Sequence, residues 1–283
     1  MSDRPSQFLI VGGDGKLGRR AVAILQASNV PVVSTSRNRR LACQPGRSYL
    51  DIREAKSWQP RFEATVAIIC AGISSIVACQ RDPDGTRAIN VDGIAAIAVR
   101  LADQGCQVIL LSSNRVFDGI RSDYSADAGR SPTTEYGRQM AEIEDRILAL
   151  DGLGTVLRLT KVLSHEDVLL FGWLQALAAG GKIEAANDMV MAPITADLAV
   201  RILVKLGTNR ARGIFQMSAN RDVTYLEVAR KLAAAVGASN TAVESVPHTV
   251  LAGLGDLHQL FPQRGQRPVF HLLRQGQGPH EVG

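Results

Sequence analysis

Phe8-Leu9-Ile10-Val11-Gly12-Gly13-Asp14-Gly15-Lys16-Leu17-Gly18 is the stretch that decides the fold. Four apolar residues run straight into Gly12-x-x-Gly15-x-x-Gly18, and a helical pattern follows at once. Glycine at a strand end permits a tight turn and lets backbone N–H groups approach a pyrophosphate closely. The helix behind it presents its partial positive end to that anion. A lone glycine spacing is weak evidence, and a plain glycine-rich turn has the same spacing. Here the glycines lie between a strand and a helix, where a dinucleotide turn requires them.

The next strand sharpens the choice of dinucleotide. Pro31 to Ser36 reads as strand two and ends in Ser36-Arg37-Asn38-Arg39-Arg40. An acidic residue there would accept hydrogen bonds from a free ribose 2′-hydroxyl, whereas arginine suits a 2′-phosphate. No acid is near, so the reading is NADP(H), with Arg37 as the contact; a solvated basic loop is the alternative. Ser48 to Ile52 reads as a short strand. Asp51 either holds the adenine amino group or caps the helix that follows, and Ile52 lies beside it.

Thr65 to Gly72 is a continuous apolar run ending in the small pair Ala71-Gly72, as expected of a buried parallel strand that lets a ligand lie close to backbone. A helix over Arg87 to Asp103 carries Asn90, and a further buried strand, Gln107 to Ser112, ends in Ser112-Ser113-Asn114. This βαβ alternation predicts an α/β, Rossmann-type doubly wound parallel sheet. Further on, the periodicity predicts a helix from about Thr133 through Tyr136 to Leu150 and a strand over Thr155 to Leu159. Helices near 167–179, 195–206 and 224–236 and a strand near 213–217 follow. The expected division is a nucleotide-binding domain over 1–160 and a small substrate lobe over 161–283. With no linker composition between them, the two are interleaved.

Bulk properties exclude several classes. The chain has 283 residues, 46% hydrophobic and 21% charged, with a formal net charge of +5. Basic residues are scattered apart from 37–40, so no nucleic-acid footprint is indicated. No apolar run is long enough to span a bilayer and the N-terminus lacks a signal-peptide core, so the expected place is the cytoplasm. Cys43, Cys70, Cys79 and Cys106 have neither C-x-x-C spacing nor a histidine cluster, so no metal site is expected.

Three places then converge: the glycine turn, Ser113 at a strand end and Tyr136 at a helix start. Taken in order, the chain resembles the extended short-chain dehydrogenase/reductase superfamily and, more closely, the dTDP-4-dehydrorhamnose reductase family. The resemblance rests on the glycine turn, Leu50-Asp51-Ile52, and Ser112-Ser113-Asn114-Arg115-Val116-Phe117-Asp118-Gly119, which is similar to S-T-D-Y-V-F-D-G. It continues through Ala192-Pro193-Ile194, Asp197-Leu198-Ala199, Gly213 to Ser218, and Arg267-Pro268. It implies that Ser113 hydrogen-bonds a substrate carbonyl oxygen and that Tyr136 gives that oxygen a proton while NADPH delivers hydride to the carbon. Both roles suit hydroxyl donors aimed at a developing alkoxide. Implied cofactor contacts are Gly12, Asp14, Gly15, Lys16, Leu17, Gly18, Arg37, Asp51, Ile52, Ala71, Gly72, Asn90, Tyr136 and residue 140. Implied substrate contacts are Asn114, Arg115, Phe117, Trp173 and Pro193. A sugar nucleotide or similar polar ketone is the implied substrate, and a homodimer or hetero-partner the implied assembly.

One departure is chemically pointed. The resemblance places a lysine four residues after the tyrosine, and this sequence has Met140. The spacing puts both residues on one helical face. A thioether neither hydrogen-bonds a ribose strongly nor lowers a phenol pKa by charge. The expectation is slow chemistry biased towards reduction, or a cofactor-binding regulatory subunit with little turnover. Lys161, just beyond the strand ending at Leu159, is a candidate replacement cation.

Overall fold

The computed structural model describes residues 7–60, 62–121, 124–164 and 166–251. Six strands come before residue 160: β1 (Phe8–Val11), β2 (Val32–Ser36), β3 (Arg47–Tyr49), β4 (Val66–Ile69), β5 (Gln107–Ser113) and β6 (Gly154–Leu159). Short strands follow at β7 (Val162–Leu163), β8 (Ile183–Ala186), β9 (Val190–Met191) and β10 (Ile194–Thr195). The chain then forms β11 (Gly213–Met217), β12 (Val223–Thr224) and β13 (Val243–Val246). The main sheet has seven strands in the order β11-β6-β5-β4-β1-β2-β3, and every neighbouring pair in it is parallel. The order reverses between β1 and β4. That reversal opens a crevice beyond the carboxyl ends of the strands, the usual ligand position in such sheets.

The helices are α1 (Lys16–Ala27), α2 (Arg39–Ala42), α3 (Ile76–Arg81), α4 (Pro83–Arg87), α5 (Ile94–Asp103), α6 (Glu135–Leu148), α7 (Val168–Ala178), α8 (Ala196–Thr208), α9 (Tyr225–Ala235) and α10 (His248–Leu251). Alternate strand residues face opposite helical layers. Leu9, Val11, Ala67, Ile69, Val108 and Leu110 pack with Ile94, Ile97, Leu101, Ile143 and Ile147 of α5 and α6. Phe8, Ile10, Ile68, Ile109 and Leu157 pack with Ala21 and Leu25 of α1 and Ala199, Val200 and Leu203 of α8. Burial on both faces is why β1 and β4 read as unbroken apolar runs with no alternation.

A third cluster lies apart from these two, built from α7, α9, β8, β9 and β13, with Trp173, Leu177, Met189, Met191 and Tyr225 inside. This smaller lobe is not cut off at residue 160. Residues beyond it supply α8, which packs on α1, and β11, the sheet edge beside β6. The region 87–103 is not one regular helix. Ala88–Gly93 is a π-helical segment between α4 and α5, and Ile52 is pressed against it so closely that a Cβ on Gly93 would lie 2.4 Å from Ile52 Cγ2. The expected strand over 48–52 ends at Tyr49, and Ile52–Glu54 form a single 3-10 turn.

Candidate active site

The glycine turn is tight enough to require glycine. Gly12 has φ +87°, and a Cβ on it would lie 2.7 Å from Ala71 Cβ; one on Gly18 would lie 2.1 Å from the Gly12 carbonyl oxygen. The turn is therefore packed against both the end of β4 and its own helix. A Cβ on Gly15 would sit at an ordinary distance of 3.4 Å from Gly12 O, which leaves its backbone open to the crevice at the head of α1. Close backbone, a helix start and an adjoining small residue are what a pyrophosphate needs, so these residues fit a dinucleotide.

Asp14 points away towards β2 and β3, where it accepts hydrogen bonds from Ser36 Oγ at 2.5 Å and Arg47 Nη1 at 2.6 Å. Arg37 stands exposed just past β2. Asn38 caps α2 by accepting from the Arg40 and Leu41 N–H groups, and Arg39 lies over the Tyr49 ring at 4.1 Å. Asp51 caps the 3-10 turn through the Arg53 N–H and pairs with the Arg53 guanidinium at 2.5 Å. Hydrogen bonding to Arg53 holds its carboxyl below the usual carboxylate range against the opposing effect of burial.

A cavity of about 650 Å³ runs from the glycine turn across the strand ends to the smaller lobe. Gly15, Lys16 and Leu17 line one end. Ala71, Gly72, Asn90, Ser113, Asn114, Arg115, Phe117, Tyr136 and Met140 line its middle, and Met191, Met217 and Tyr225 lie at the far side. Of the residues proposed from sequence, Gly12, Asp14, Gly18, Arg37, Asp51, Ile52, Trp173 and Pro193 are not on its wall. Trp173 is 8% exposed and meets Tyr225 edge-on at 6.4 Å inside the third cluster, behind the part of the wall that Tyr225 forms. Arg267 and Pro268 lie outside the described residues.

Ser113 ends β5, and its hydroxyl accepts from the Arg115 N–H at 3.2 Å. Its side chain also favours the ionised form of the Tyr136 phenol. Tyr136 opens α6, whose first turn is capped by Thr134 accepting from Gly137 N–H at 3.1 Å. Residue 137 must be glycine, because a Cβ there would lie 2.2 Å from the Arg115 carbonyl oxygen. Burial, and then the neighbouring Cys79 thiol, push the Tyr136 phenol up to about 12, against the opposing effects of Ser113 and the Arg115 charge. Met140 sits one turn along at 4% exposure, a member of the apolar cluster on that face of the sheet.

Asn90 fixes the wall opposite. It accepts from the Ile73 N–H at 2.7 Å and donates to the Ile73 carbonyl at 2.9 Å, so it clamps the backbone just past Gly72. Its amide also donates to Gln139 Oε1 at 2.9 Å, and Gln139 in turn donates to Thr86 Oγ1 at 3.0 Å. The π-helical segment carries Asn90 into this fully buried position.

Sequence reading missed Arg158, which lines the cavity floor. A lone arginine inside a buried strand was the available signal, since such a charge needs a partner. The partner is Glu144 on α6, 2.7 Å from Arg158 Nη2. Phe117 stacks on Tyr124 with centroids 4.4 Å apart, and the Arg158 guanidinium lies 5.0 Å from the Phe117 ring. Lys161 lines the cavity too, but its ammonium is paired with Asp167 at 3.2 Å. Among the described residues no group of three His, Cys, Asp or Glu could hold a metal ion, and no helix is long and apolar enough to cross a membrane.

Fold and site together define an α/β protein of the Rossmann type, with a serine–tyrosine hydroxyl pair facing a dinucleotide crevice. The model of the RmlD substrate binding domain matches residues 6–256, and the chain belongs to that family. It is 27% identical to a dTDP-4-keto-6-deoxy-D-glucose reductase of Streptomyces niveus, over 96% of this chain and 94% of that protein. It is 28% identical to methionine adenosyltransferase 2 subunit beta of Bos taurus over 54% of this chain and 46% of that one. In three dimensions it resembles a dTDP-4-dehydrorhamnose reductase of Bacillus anthracis solved in complex with NADP, with a TM-score of 0.78 and 17% identity over 95% of this chain and 90% of that chain.

Proposed function

We propose that this protein is an NADPH-dependent reductase acting on a keto group of a sugar nucleotide or a similar polar ketone. The observation that carries this reading is the pair of hydroxyls, Ser113 and Tyr136, on the wall of the same cavity as the glycine turn. The relatives' names support the substrate class, and Arg37 with its basic neighbours supports NADP(H) over NAD.

NADPH bound along the crevice supplies a hydride. Gly12 to Gly18 and the head of α1 would hold its pyrophosphate, and Arg37 would suit its 2′-phosphate. Ala71, Gly72 and the Asn90 clamp keep the β4 end close and still. Ser113 donates a hydrogen bond to the substrate carbonyl oxygen and raises the positive character of its carbon. Tyr136 gives that oxygen a proton as the alkoxide forms. A phenol raised to about 12 is protonated at neutral pH, so it is ready to donate and rarely able to accept.

A second reading is a cofactor-binding regulatory subunit with little turnover. Met140 in an apolar setting supports it, as does the similarity to the methionine adenosyltransferase subunit. The test is saturable NADPH binding followed by a panel of nucleoside-diphosphate keto sugars with NADPH oxidation as readout. Turnover that disappears in Tyr136→Phe supports the reductase. Binding without turnover across the panel favours the second reading, and no saturable NADPH binding removes both.

A further inference from the structure

A phenol that gives up its proton inside an apolar wall leaves a phenolate needing a nearby positive charge. Position 140, on the same helical face, carries a thioether. The other cations on the wall are engaged away from the phenol. Arg158 is bound to Glu144, Lys161 to Asp167, and Arg121 lies 5.1 Å from the Tyr124 ring. Lys16 belongs to the glycine-turn end of the cavity.

Arg115 is placed differently. It belongs to the 3-10 turn Asn114–Val116 that follows Ser113. Its N–H donates to the hydroxyl of Ser113, which lines the same cavity as Tyr136. Its carbonyl is pressed onto Gly137, the residue next to Tyr136. Its side chain lines the cavity that Tyr136 and Tyr225 also line, and its charge favours the phenolate form of each. Two backbone contacts therefore hold the main chain of this residue against the start of the helix that carries Tyr136.

We propose that Arg115 supplies, from the neighbouring turn, the positive charge that position 140 does not carry, and thereby sets how readily the Tyr136 oxygen gives up and regains its proton. This rests on the reductase reading for its use in catalysis, though not for its measurement. In reduction the O–H bond of Tyr136 breaks and its proton passes to the substrate oxygen. The electron pair stays on the phenol oxygen. Other groups that act on the phenol are the Cys79 thiol from α3 and the Glu144 carboxylate on its own helix, and both disfavour the phenolate. Arg115 is the cation that opposes them. It is a positioning residue acting through Tyr136.

The experiment is nitration by tetranitromethane, which attacks phenolate, on the full chain without cofactor between about pH 8 and pH 10, where a phenol's ionised fraction rises steeply. Peptide mapping reads Tyr136, with Tyr49 as internal reference. Arg115→Gln is expected to slow nitration of Tyr136 about tenfold, the effect of about one pKa unit, with Tyr49 unchanged. Arg115→Lys should stay within about threefold of wild type, and adding Met140→Lys to Arg115→Gln should restore the rate, because charge within reach is what matters. Unchanged Tyr136 nitration in Arg115→Gln overturns the proposal. So does an Arg115→Lys rate as low as that of Arg115→Gln, which would mark a packing role. The readout needs neither NADPH nor substrate, so its failure and the failure of the reductase reading are separate results.

Discussion

Arg158 and Glu144 meet beneath the cavity at 2.7 Å, with side chains 2% and 0% exposed. Glu144 also accepts from Ser112 Oγ at 2.5 Å, and Arg158 donates to the Ala126 carbonyl at 3.0 Å. The pair thus ties β6, α6, β5 and the backbone at Ala126 together at one point. Removing one partner strands a buried charge, which costs about 3–5 kcal/mol. Arg158→Leu should lose about that much in urea unfolding. Glu144→Leu combined with Arg158→Leu should lose less than the sum of the two single variants.

The acidity of Tyr136 predicts different pH profiles in the two directions. The phenol is protonated below about 12. Reduction draws on the protonated form, so its rate should be nearly level from about pH 6 to pH 9. Oxidation of the alcohol product draws on the phenolate, so its rate should rise about tenfold per pH unit over the same range. Met140→Lys should raise oxidation near pH 8 by about tenfold or more by favouring the phenolate. It should also lower stability, since Met140 is 4% exposed in an apolar cluster. Initial rates in both directions and a urea titration check these outcomes. An oxidation rate independent of pH in wild type would contradict the acidity assigned to Tyr136.

Gly18→Ala tests the turn. The new methyl would lie 2.1 Å from the Gly12 carbonyl oxygen, which is backbone and cannot swing aside. The helix head must move off the strand end, and NADPH affinity should fall at least tenfold by fluorescence titration. Gly105→Ala makes a useful comparison, because nothing lies within 4 Å of a Cβ there, although its φ of +74° adds local strain. It should leave NADPH affinity unchanged.

Arg37 tests the choice of dinucleotide. Arg37→Ala should weaken NADPH about tenfold, the effect of one charge-assisted contact of about 1.5 kcal/mol, and leave NADH nearly unchanged. Equal losses for both would place the discrimination at Arg47 or Arg39.

The first half of the fold was legible because its strands are buried on both faces and its helices are amphipathic. The glycine turn, Ser113 and Tyr136 were legible for a related reason. Each lies at a junction between two strongly patterned elements, and junctions are where this sheet places its ligands. What stayed hidden depends on pairing across distance. β7, β9, β10 and β12 have two residues each, too few for any period to register. Trp173 looked like a pocket aromatic because its partner Tyr225 is brought to it by α9 folding back. Lys161 looked like a free cation because Asp167, six residues on, becomes its partner only once α7 is capped there. Arg115 read as a substrate contact. The carbonyl that fixes it beside Tyr136 is visible only through the glycine packed upon it.

The seventh strand of the sheet has a consequence for how the chain is made. β11 pairs with β6 from Gly213↔Thr155 to Met217↔Leu159, so more than fifty residues separate partners along the chain. While a ribosome is still adding those residues, β6 has no neighbour on one side, and its backbone N–H and C=O groups are open to other nascent chains. Solubility in the cell is therefore governed by how quickly residues 213–217 reach that edge. Substitutions that slow α8 or β11 should show as lost yield at synthesis, well before they register as lost stability in the finished protein.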